Sequence, residues 1–163
     1  MTFEELNILI KEGEGLTVEF KEKYTSKISE DIVAFSNSKG GKILLGVSDD
    51  KSIKGEKLTG ILKAELLDLA RNCHDSIKIS FEQVGDVVVV EVPEGDNKPY
   101  QCSSGYFKRY DAMTRKMMPA EVKIMFRDNI GISFENIPGM NYDAQSVSLD
   151  KVKAFLREAD YPI

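Results

Sequence analysis

Glu14-Gly-Leu-Thr-Val-Glu-Phe-Lys21, then Ile32-Val-Ala-Phe-Ser-Asn-Ser-Lys-Gly-Gly41, then Ile43-Leu-Leu-Gly-Val-Ser-Asp49 read in turn as strand, helix with its stop, and strand. Leu16, Val18 and Phe20 alternate with Thr17, Glu19 and Lys21, so Glu19 and Lys21 share the face opposite the core side chains. Ser26 is placed to cap the helix, with Glu30 and Asp31 near its positive end and Ile28, Ile32 and Phe35 at helical spacing. Asn37, Gly40 and Gly41 form the turn that ends it, since glycine takes the left-handed conformation a helix stop often needs. Residues 43–47 are a short apolar run, the pattern of a strand covered on both faces.

Outward from this unit, Thr2-Phe-Glu-Glu5 has the form of a capping box for a first helix that ends near Gly13. A third helix is expected over 58–73, with Leu62, Leu66, Leu69 and Cys73 in register. Alternation at Ile77, Ile79 and Phe81, the pair Gly85-Asp86 and the run 87–92 predict a hairpin. Short strands follow near 100–102 and 106–110, and Pro119 opens a helix through Phe126. The fold class is therefore α+β. Residues 131–163 read as a C-terminal extension with a helix near 148–159, a linker to a further domain downstream.

A length of 163 residues suits one domain with a short appendage, and 42% apolar with 30% charged residues is ordinary for a globular chain. Apolar runs are too short to span a bilayer and the acidic Met1-Thr-Phe-Glu-Glu start is no leader, so no membrane role and a cytoplasmic location are expected. Two cysteines, Cys73 and Cys102, and one histidine, His74, exclude a disulfide framework, a structural zinc site and a histidine-based catalytic triad. The net charge of −5 tells against strong nonspecific polyanion binding, so a nucleic-acid role requires a local basic patch.

Two constellations carry possible chemistry. Glu14 and Glu19 flank the first strand and Asp49 and Asp50 follow the second; as neighbours, the strands would bring these carboxylates to one sheet edge. Converging carboxylates hold Mg²⁺ or Mn²⁺, which activates water against a phosphodiester, whereas isolated acids in turns are simply solvated. In Gly105-Tyr-Phe-Lys-Arg-Tyr110 and Thr114-Arg-Lys116, basic residues interleave with aromatics, suited to phosphates and bases, or to an edge hairpin with Phe107 inside. The glycines of Ser36-Asn-Ser-Lys-Gly-Gly41 follow a helix rather than precede one, the wrong order for a phosphate-binding loop.

Taken together, the quoted segments, with Gly105-Tyr-Phe-Lys-Arg109, Thr114-Arg115 and Glu121, resemble the Schlafen-type AlbA-like domain over about residues 1–130. The resemblance implies an α+β fold, a mixed sheet with packed helices over residues 1–130, serving as an N-terminal DNA-binding domain of bacterial and archaeal transcriptional regulators, followed by an ATPase-like domain and a winged helix. Homodimerisation is expected with it. Lys21, Lys23, Lys27, Lys108, Arg109, Arg115 and Lys116 would then contact DNA or RNA. Animal Schlafens, by contrast, pair two copies to cleave structured RNA with a metal-dependent carboxylate triad. Glu14, Glu19 and Asp49 fall on that triad, so the resemblance implies Mg²⁺ or Mn²⁺ there if the chain is a nuclease, and no cofactor otherwise. The chain departs from those nucleases in lacking zinc ligands and a second lobe, and in carrying Ser48 before Asp49. A third expectation is a dimerisation or interaction module of a larger ATPase-like regulator.

Overall fold

The computed structural model describes residues 1–130. Its elements are α1 (Phe3–Glu12), β1 (Val18–Lys21), α2 (Ile28–Ser36), β2 (Gly41–Leu45), α3 (Gly60–Arg71), β3 (Ser80–Val84), β4 (Val87–Val92), β5 (Phe107–Tyr110), β6 (Met113–Lys116) and α4 (Pro119–Ile130). The expected helix near 148–159 lies outside the described residues. Among the described residues no helix is long and apolar enough to cross a membrane.

The architecture is α+β. A four-stranded mixed sheet runs in the order β1-β2-β4-β3, with β5 and β6 in a separate antiparallel pair. β1 and β2 are parallel, which requires a crossover, and α2 supplies it. Val18 and Phe20 pack with Leu44, Val87 and Val89 against Leu6 and Ile10 of α1. On the other face Ile43, Leu45, Val88 and Val90 pack against Ile32 and Phe35 of α2 and Leu62 and Leu66 of α3. Continuous apolar strands such as β4 are what a sheet buried on both faces demands.

Local chemistry sets most of the boundaries. The Thr2–Glu5 capping box opens α1 and Gly13, at φ 96°, closes it. α2 departs from expectation: it begins at Ile28 with Lys27 at its N-cap and no side-chain cap, because Ser26 contributes its carbonyl, not its hydroxyl. Thr59 caps α3 two residues later than the apolar pattern suggests. β3 begins at Ser80, so Ile77 precedes the ladder and packs into the core instead. At the α2–β2 junction Gly40 has φ 69°, and a Cβ on Gly41 would lie 2.5 Å from the Phe35 ring.

Candidate nucleic-acid interface

On β1, Glu19 and Lys21 do lie opposite Val18 and Phe20, but that face is not open to solvent. The β5–β6 hairpin and α2 cover it, leaving Glu19 only 9% exposed. Strand alternation puts Phe107 and Arg109 of β5 on one inward face and Lys108 and Tyr110 on the other. Arg109 is therefore 2% exposed, and its guanidinium meets the Glu19 carboxylate, Nη1 donating to Oε2 at 2.6 Å. The same nitrogen donates to Thr114 Oγ1 at 2.9 Å, while Nη2 donates to the carbonyls of Gly15 at 2.6 Å and Val18 at 3.3 Å. The guanidinium also lies over the Phe35 ring, 4.8 Å from its centroid, a cation–π contact strengthened by burial. Nε alone has no partner.

The network extends through Lys21, which donates to Glu19 Oε1 and sits 3.2 Å from Asp31 Oδ2. Thr114 donates to Asp31 Oδ1 at 2.7 Å. Burial pushes the Asp31 carboxyl above its usual value, although Lys21 and Thr114 pull the other way. For Lys21 burial acts downward, but the Asp31 and Glu19 carboxylates outweigh it and raise the ammonium above its usual value. Two carboxylates and two cations thus compensate one another where β1, α2 and the hairpin meet.

Asn37 fastens the hairpin from the other side. Its amide nitrogen donates to the carbonyls of Tyr100 at 2.8 Å and Phe107 at 2.9 Å, and its oxygen accepts from Tyr100 N–H at 2.7 Å. Ser38 accepts from the Arg109 N–H at 3.0 Å. Asn37 is thus more than a turn residue, because it satisfies backbone groups of Tyr100 and of Phe107 in β5.

The residues present do not fit a divalent ion held by Glu14, Glu19 and Asp49. Both Glu19 oxygens already face cations, and Glu14 Oε1 accepts the Phe20 N–H at 2.8 Å. Partial burial pushes the Glu14 carboxyl up, and the Glu19 and Asp49 charges add to this despite the Phe20 bond. Asp49 is exposed in the turn after β2. Its neighbour Asp50 is absorbed in a local turn, accepting from Ser52 N–H at 2.9 Å and from both serine hydroxyls at 2.6 Å. Among the described residues no three His, Cys, Asp or Glu side chains are placed to hold a metal ion.

The expected cations divide into three groups. Arg109 and Lys21 belong to the buried network, so Arg109 does not make the phosphate contact expected of it; its position two residues after the inward Phe107 was the sequence signal for this. Lys27 and Arg115 line one polar cleft with Lys21, Asp31 and Thr114, and Lys108 faces Arg115 directly across the hairpin. Lys116 is exposed on β6, and Lys23 lies apart in a hollow with Lys54 and Lys57. Among the described residues Lys27, Lys108, Arg115 and Lys116 form no ion pair. A further groove near Gly40 also carries lysines: Lys42 pairs with Glu91 at 2.7 Å and Lys39 approaches Glu94 at 3.9 Å, while Lys78 lines it without an ion pair among the described residues.

Residues 14–118, the span holding β1, the α2 turn, the ion network and the hairpin, match the family described as Schlafen, AlbA_2. The chain belongs to the Schlafen AlbA_2 family. That family is consistent with a nucleic-acid-binding role. The crystal structure of the DIP2311 protein from Corynebacterium diphtheriae is similar, with a TM-score of 0.55 at 17% identity, a likeness of fold alone. The match covers 70% of this chain and 24% of that one, so this AlbA_2 chain corresponds to a minor part of that protein. No curated protein matches the chain.

Proposed function

We propose that this domain binds nucleic acid, DNA foremost, as the binding module of a transcriptional regulator, and that it does so through backbone phosphates. The observation that carries this reading is the group Lys27, Lys108, Arg115 and Lys116. All four lie on or beside a clamped hairpin and lack an acidic partner among the described residues, on a chain whose net charge is −5. Cations left unpaired on an acidic protein are suited to displace the counterions of a polyanion. The regulator role, a paired second copy and a domain following this one rest on the family resemblance.

A metal-dependent nuclease is the weaker reading: Glu14 lies near enough to Glu19 and Asp49 to feel their charges, but Arg109 and Lys21 hold the Glu19 carboxylate that a metal would need. Fluorescence anisotropy with a labelled DNA duplex tests the proposal. Affinity should fall steeply between about 50 and 200 mM salt, as phosphate neutralisation requires. Affinity unchanged across that range, or no binding at low salt, would refute it.

A further inference from the structure

The hairpin's outward face has a feature that phosphate contact alone does not explain. Lys108 and Arg115 are register partners, as are Tyr110 and Met113, so all four side chains share the face opposite Arg109. Like charges directly across an antiparallel pair destabilise it, and neither cation forms an ion pair among the described residues, although the Glu121 charge reaches Lys108 and Arg115 Nη2 donates to Met113 Sδ at 3.5 Å. An anion seated between them would remove that cost. Beside the pair, Tyr110 is 36% and Met113 50% exposed, an aromatic ring and a polarisable thioether presented together to solvent. The Tyr110 hydroxyl donates to Glu121, whose other oxygen accepts from Met118 N–H at 2.7 Å, so the ring is held at its hydroxyl end. Lys108 Nζ lies 6.0 Å from the ring centroid, which places positive charge next to the aromatic surface.

We propose that this face binds an unpaired nucleotide of single-stranded DNA, with the phosphate between Lys108 and Arg115 and the base against Tyr110 and Met113. Residues two apart on a strand are separated by about 7 Å, so the phosphate and ring positions lie within the reach of one nucleotide. A duplex offers the same phosphates but keeps its bases stacked inside, out of contact with Tyr110. Aromatic stacking tolerates any base, so the preference is for strandedness rather than sequence. The inference rests on the nucleic-acid-binding reading and names its substrate class.

The chain contains no tryptophan, so Tyr110→Trp introduces a single fluorophore at the stacking position. Titration with an oligo-dT strand should quench its emission, and a duplex of equal length should leave it nearly unchanged. By anisotropy, Tyr110→Ala should weaken single-strand binding by about 5- to 150-fold, the range for one lost stacking contact, and duplex binding by less than about twofold. Tyr110→Phe, which keeps the ring and loses the Glu121 bond, should retain affinity and guards against an effect of folding. Duplex binding with single-strand affinity indifferent to Tyr110→Ala would overturn this inference and leave the broader function standing. Absence of binding to either form would overturn both.

Discussion

Arg109 Nη1 meets Glu19 Oε2 at 2.6 Å across a sequence separation of 90 residues, joining the edge strand of the sheet to the hairpin that carries the exposed cations. The pair ties the acidic residue of β1 to the basic hairpin: the Glu19 carboxylate anchors Arg109. It also weighs against a metal at Glu19, since a carboxylate facing a guanidinium and an ammonium is a poor ligand for one.

Removing one member of that pair should be costly because the other remains buried. Arg109→Met should destabilise the domain by about 3–5 kcal/mol. Pairing it with Glu19→Leu should recover part of the loss, since an apolar replacement leaves no uncompensated charge. Urea unfolding of the two single variants and the double variant measures the coupling directly.

Asn37→Ala removes three hydrogen bonds to backbone groups of Tyr100 and Phe107 and should cost about 3 kcal/mol, given the penalty for unpaired buried polar groups. Amide exchange near β5 should accelerate more than exchange in β4, because the hairpin loses its second fastening while the central sheet does not.

How much of this was legible in the sequence depends on the range of the interaction. The α1 cap, the β3–β4 hairpin and the apolar strands follow from local patterns, and the structure has them within a few residues. The face of Glu19 was also readable, but what covers it was not. Alternation says which way a side chain points and nothing of the hairpin that arrives from the far end of the chain. The basic and aromatic neighbours of Arg109 suggest a phosphate contact, although its spacing from Phe107 places it inward. The sequence places Asp31 near the positive end of its helix, and its link to Lys21 and Thr114 exists only once β1, α2 and β6 are assembled.

Lys21 gives the network a signature at alkaline pH. Its folded value is raised, so its contribution is complete below the ordinary lysine value of about 10.4 and is lost as pH rises through the higher folded one. The urea midpoint of the wild type should drop across that window. The drop should shrink in Lys21→Met, which has no proton to lose there.

Cys73 should be unreactive while the domain is folded. Burial pushes its thiol up to about 12, so almost no thiolate exists at neutral pH. Iodoacetamide at pH 8 should label it only after denaturant is added, as peptide mass mapping would show.

Divalent cations should not stabilise the fold. With Glu19 occupied by Arg109 and Lys21, Mn²⁺ should leave the melting temperature unchanged, whereas a bound ligand raises it. A rise with Mn²⁺ that disappears in Glu19→Gln would restore the metal-centre reading.

The most direct test of the account is the salt dependence of DNA affinity in Arg115→Ala and Lys116→Ala beside the wild type. If these side chains neutralise phosphates, each substitution should weaken binding and flatten the slope of log affinity against log salt by about 0.9 on duplex DNA. Slopes identical to that of the wild type would show that the exposed hairpin cations are not the binding surface.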